Sequence, residues 1–199
     1  MTGTLRHRQW GDWPSVVLAT EAVELEVVSE VGARVVSLRD RRRDREWLVQ
    51  GQKPRDLDYM DWAEEDAVFA GLESFGWDEC LPTTSVCPDP PEDGGRDLRD
   101  HGDQWGRGAY ARVDPAGAAI EHTWAVSHWE YRLHRRLSFS GEETVMAEYL
   151  LESLADRPLP IRWAHHPVIE AEPGSTIDLP GVHAVLRSWQ TGRGLPGAP

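Results

Sequence analysis

Between Trp129 and Phe139 the chain alternates strictly, and no other feature limits its fold as much. The odd positions carry Trp129, Tyr131, Leu133, Arg135, Leu137 and Phe139, and the even ones Glu130, Arg132, His134, Arg136 and Ser138. A repeat of two belongs to an extended strand, whose side chains point in turn to opposite faces, so this run predicts a long strand with one buried face. Ser140-Gly141-Glu142 predicts a turn, after which Val145, Ala147, Tyr149 and Leu151 resume the same period. The two runs therefore predict a β-hairpin.

The pattern recurs in shorter pieces. Strands are expected at 23–27 and 120–126, and more briefly at 15–20, 33–38, 46–49, 161–164 and 182–187. Gly, Pro and Asp clusters separate them at close intervals, which predicts an antiparallel sandwich or barrel. Two stretches break the rhythm. A short helix is expected around 62–69, and Pro82 to Asp100, with four prolines and the Gly94-Gly95 pair, predicts a long loop. One domain over 1–190 is expected, followed by a mobile Gly/Pro tail over 191–199.

Charge narrows the partners. With 21 basic against 34 acidic residues the net charge is −13, which repels phosphate backbones and anionic membranes alike. No nucleic acid and no membrane is the expectation. The run Arg39-Asp40-Arg41-Arg42-Arg43-Asp44-Arg45 is interrupted by acids and predicts a solvated turn between strands. Cys80 and Cys87 are too few for a disulfide scaffold, and the polar N-terminus does not read as a signal peptide, so a reducing cytoplasm is expected. Neither the cysteine spacing nor His101, His165 and His166 supplies a zinc motif, so no metal is expected.

Three segments concentrate reactive side chains beside tryptophan: 76–82 (GWDECLP), 100–105 (DHGDQW) and 163–167 (WAHHP). Such residues sit where strands give way to loops, the places where rigid sheets carry sites. Aromatic faces beside carboxylates and imidazoles suit a sugar, which offers an apolar C–H face and a rim of hydroxyls. Each residue also has a structural reading. His166 could cap a strand end, His101 could stabilise a turn, and Asp78 and Glu79 could be solvated loop carboxylates. His165 is expected to face away from its neighbour, His122 to be a satisfied core histidine, and His128 and His134 to lie on the surface.

These three segments, in this order, resemble the signature blocks of the aldose 1-epimerase (galactose mutarotase-like) superfamily. Tyr131…Arg136, the LADRPLP segment at 154–160 and Glu172-Pro173-Gly174…Leu179-Pro180 resemble it as well, so the likeness runs over about 15–182. It implies an all-β, antiparallel β-supersandwich that binds a monosaccharide in an open cleft and needs no cofactor. It also implies interconversion of sugar anomers by acid–base catalysis. His166, before Pro167, matches the acid histidine and His101 the histidine that hydrogen-bonds sugar hydroxyls. Asp78, Glu79, Trp105 and Trp163 fall where substrate contacts are expected.

The resemblance departs at one point. The family's basic glutamate lies well beyond the His-Pro block, whereas the last glutamate here, Glu172, matches the Glu-Pro-Gly turn. The expectation is therefore a sandwich incomplete at its C-terminus, with an oligomer or second chain completing the sheet. Three alternatives stand: a mutarotase or related hexose epimerase, a sugar- or partner-binding protein without the base, and a truncated fragment.

Overall fold

The computed structural model describes residues 3–51, 74–86, 98, 100–106, 109–114, 119–127, 129–178 and 180–181. Among them the structure is all β, with two antiparallel sheets and no helix. The expected helix at 62–69, the strand at 182–187, the tail at 191–199, His128, Cys87 and most of the 82–100 loop lie outside the described residues.

The strands are β1 (Thr4–Trp10), β2 (Trp13–Ala19), β3 (Val23–Val28), β4 (Arg34–Asp40), β5 (Arg45–Glu46), β6 (Trp77–Cys80), β7 (Ala109–Val113), β8 (Ala119–Trp124), β9 (Tyr131–Phe139), β10 (Val145–Ser153) and β11 (Ala164–Pro167). The first sheet runs β1-β2-β3-β4-β6-β11, with β5 pairing on β4, and the second runs β10-β9-β8-β7. The alternating run and its resumption form one hairpin in full register from Tyr131↔Ser153 to Phe139↔Val145.

Three strands escape the periodicity argument, and one of them, β6 (WDEC), is only four residues long. β1 (TLRHRQW) is a polar edge strand with only Trp10 fully buried, so no apolar alternation marks it. Its charged side chains suit an edge, where they discourage pairing with other chains. It is fixed by the turn Gly11-Asp12 between the paired Trp10 and Trp13, with Gly11 at φ 61°. Positive φ at the first central residue alone is the signature of a type II′ hairpin turn, which calls for glycine there. β7 is also at an edge and has no buried residue.

The expected strand at 161–164 begins only at Ala164. Its partner β6 ends at Cys80, after which Leu81 turns to bridge Gly102, and Pro82 has no N–H to extend a ladder. Arg162 instead donates its N–H to the Pro82 carbonyl at 2.8 Å.

The two sheets meet over Leu18, Leu25, Val27, Val35 and Leu48 from one side and Ile120 and Leu137 from the other. A second layer gathers Ala33, Leu81, Trp124, Trp129, Tyr131 and Leu133. A third cluster, with Trp10, Val28, Val36, Phe75 and Trp105, lies against the opposite face of the first sheet. The middle of the arginine-rich segment, 41–44, is a turn between β4 and β5, and its ends belong to those strands. Arg42 pairs with Glu142 and Glu143, Arg43 with Asp40, and Arg39 with Asp44.

Candidate functional site

β6 and β11 form a short ribbon in which Asp78 opposes His166, Glu79 opposes His165 and Cys80 opposes Ala164. Directly opposed residues share a face and consecutive residues do not. The ribbon therefore presents Asp78, Cys80 and His166 on one side, and Trp77, Glu79 and His165 on the other. His165 faces away from His166, as the strand reading requires.

On the first side, Asp78 is buried against Arg34, with Nη2 and Oδ2 2.6 Å apart and both side chains only 1% exposed. Arg34 also donates Nη1–H to the Phe75 carbonyl at 2.8 Å. The other Asp78 oxygen lies 2.9 Å from Nδ1 of His166. Burial acts to raise this carboxyl, but Arg34 and His166 outweigh it and hold it below the usual carboxylate range. Asp78 is thus an ionised anchor that orients an imidazole. It is too enclosed to be the substrate contact expected of it.

His101 reaches the same place from the loop after residue 98. Its ring centroid lies 5.1 Å from that of His166 at 68°, and its Nδ1 is 2.9 Å from Asp100 Oδ1. Both imidazoles are half-buried. The loop is locked by a backbone approach that only glycine allows. Gly102 has φ 74°, and a Cβ there would lie 2.0 Å from the Leu81 carbonyl oxygen. Asp103 then donates its N–H to that carbonyl at 2.9 Å, and its carboxylate accepts from Tyr131 at 2.6 Å and Ser127 at 2.8 Å. Trp105 donates its indole N–H to the Gly102 carbonyl and is fully buried. The expectation that Trp105 offers its face to a ligand is corrected: its ring packs in the core and holds the loop that presents His101.

The second side faces the other sheet. Glu79 and Arg135 are both 0% exposed and lie 3.4 Å apart, while Tyr149 donates its hydroxyl to Glu79 at 2.5 Å and Trp163 its indole N–H at 3.0 Å. Burial, followed by the Glu79 charge, pushes the Tyr149 phenol up, so it stays a donor. His165 Nδ1 lies 3.6 Å from Glu79 and 3.2 Å from the Tyr149 hydroxyl. The rings of Tyr149, Trp163 and His165 meet with centroids 4.7–5.0 Å apart. Glu79 is therefore an inter-sheet anchor and no surface contact. Trp163 is 37% exposed but stands on this side, away from the paired imidazoles.

Sequence reasoning passed over four participants. Arg34 and Arg135 sit in phase with apolar neighbours on β4 and β9, and a charge on a buried face implies a buried counter-ion. Tyr149 likewise occupies an inward position of β10. Cys80 stands next to the acidic pair, and its thiol is pushed up by burial and then by Asp78 and Glu79. His122 is a core histidine, with Nδ1 3.4 Å from Arg135 and Nε2 3.5 Å from Ser29. His134 is half-buried, 3.0 Å from the Thr123 hydroxyl. Glu172 lies in a turn, bonded to Ser175.

No protein-family model matches the chain, and no curated protein sequence matches it. Among solved structures it is similar to the crystal structure of a galactose mutarotase-like protein from Clostridium acetobutylicum, with a TM-score of 0.56 at 14% identity. The match covers 84% of this chain and 54% of that protein. The chain thus has the galactose mutarotase-like sandwich fold and spans about half the length of the protein it matches. Among the described residues no helix is long and apolar enough to cross a membrane.

Proposed function

From a mutarotase-like sandwich with two imidazoles side by side, we propose that this chain binds a monosaccharide at His101 and His166 and exchanges its anomers. The observation that carries the reading is the 5.1 Å approach of the two rings, with His166 held by Asp78 and a carboxylate oxygen of Asp100 2.9 Å from His101. Two ring nitrogens that close can bond adjacent oxygens of one small ligand. His166 gives its proton to the ring oxygen as the C1–O5 bond breaks, and His101 holds neighbouring hydroxyls. The anomeric O–H proton leaves at the same time, the C1–C2 bond of the open aldehyde rotates, and closure returns both protons. Among the described residues Asp78, the carboxylate bonded to His166, is also tied to Arg34, so the anomeric proton passes to solvent water. A reduced cytoplasmic setting fits the free thiol of Cys80.

Anomer exchange of α-glucose and α-galactose, followed by NMR or polarimetry, tests this. Exchange above the buffer rate is expected, and H166A should lower the increment by about 10²-fold or more, the usual worth of positioned proton transfer. Acceleration that survives H166A overturns the acid role.

The engagement of Asp78 by both Arg34 and His166 favours a second reading, sugar binding without turnover. In that case titrated sugar changes tryptophan fluorescence while exchange stays at the buffer rate, and H101A abolishes the change.

A further inference from the structure

Cys80, His101 and His166 come from a strand, a loop and a second strand, yet one ligand atom from each lies within 4.8 Å of the others. We propose that these three residues form a site for a thiophilic divalent transition-metal ion of the zinc class. Zinc–sulfur bonds of about 2.3 Å and zinc–nitrogen bonds of about 2.0–2.1 Å put tetrahedral ligand atoms about 3.3–3.6 Å apart. Small side-chain rotations of the half-buried rings bring the three atoms from within 4.8 Å to that spacing.

The surroundings are also those of a ligand set. Nδ1 of His166 lies 2.9 Å from Asp78, and Nδ1 of His101 lies 2.9 Å from Asp100. The hydrogen bond between Asp78 and Nδ1 of His166 keeps the proton there and makes that ring a better donor to a metal through its other nitrogen. The two rings beside one thiol make a set of two imidazoles and a sulfur, which selects zinc, cobalt or copper over magnesium or calcium. Three protein ligands leave a fourth tetrahedral position for water or a small oxygen ligand.

Binding balances without redox change. The Cys80 S–H bond breaks, its electron pair goes to the metal, and the proton passes to water. Ring nitrogens on a metal are not available for proton transfer, so the acid–base reading above belongs to the metal-free chain. The two proposals fail independently, because one is read by sugar exchange and the other by the metal's own spectrum.

The full chain, stripped with chelator, is titrated with cobalt(II) alone. One equivalent should give visible ligand-field bands and a near-ultraviolet thiolate-to-cobalt band, both erased by one equivalent of zinc(II). A roughly thousandfold excess of magnesium or calcium should leave them in place. C80S should abolish the thiolate band and C87S should keep it. H101A and H166A, on half-buried side chains that can be lost without emptying the core, should each weaken cobalt binding at least about tenfold. The proposal is overturned by a wild-type cobalt complex without the thiolate band, by a band that follows Cys87, or by affinity unchanged in both histidine variants.

Discussion

Asp78 and Glu79 are chain neighbours with opposite surroundings, because a strand sends them to opposite faces. Each is a buried carboxylate with its own buried arginine, Arg34 for one and Arg135 for the other. Neither pair is evidence of net stabilisation by itself, since removing two charges from water costs about what their attraction returns. Removing one partner is another matter, because it strands a charge. We expect D78A to lose about 3–5 kcal/mol of unfolding free energy in urea and to release His166 from its orientation. A loss below about 1 kcal/mol would show that Arg34 finds another partner. The two arginines lie in phase with apolar neighbours, which marks them in the sequence as buried, whereas the two carboxylates carry no such mark. Which carboxylate meets which arginine depends on sheet order.

At the scale of elements, the β6–β11 ribbon is held to the second sheet through Glu79 and the phenol of Tyr149. Y149F removes a hydrogen bond to a charged, buried oxygen at 2.5 Å without emptying the ring's place. The expected loss is about 1.5–3 kcal/mol by denaturant unfolding, with Trp163 emission shifted as its neighbour loosens. An unchanged midpoint would mean that Trp163 and Arg135 satisfy Glu79 alone. The β9–β10 hairpin was legible residue by residue, since both strands bury one face and show it as alternation. β1 and β7 were not, because edge strands need backbone pairing and little burial. The ladder's stop at Ala164 came from Pro82 on the partner strand, which the 161–164 segment does not contain.

The whole molecule carries an acid sensitivity that follows from its layered core. His122 lies between the sheets, where burial and then the Arg135 charge hold its pKa well below 6.5. The ring is neutral in the fold, whereas the unfolded chain takes up a proton as pH falls through 6.5. The unfolded state then binds more protons, so stability drops with falling pH in the window below 6.5, by up to about 1.4 kcal/mol per pH unit for one proton. Asp78 adds to this at lower pH. Its carboxyl is held below 3.8 in the fold, so its contribution is present above 3.8 and lost as pH falls through the lower, folded value. Unfolding midpoints of wild type and H122Q between pH 7 and 5 check the first part. The curves should diverge on acidification, with the variant flatter, and parallel curves would count against a neutral buried imidazole.

The sequence by itself determined the all-β class, the long hairpin, the turn within 39–45 and the opposed facing of His165 and His166. All of these follow from a period of two and from local turn chemistry. Only the tertiary structure decided that Trp105 and Glu79 are supports, and that His101 stands beside His166. It also decided that Cys80 completes a trio with them. Those facts depend on contacts between segments far apart in the chain, made by a glycine-only approach of one loop to the end of β6. Periodicity reports which face a residue takes within its own strand, and it carries no information on what another strand or loop brings to that face.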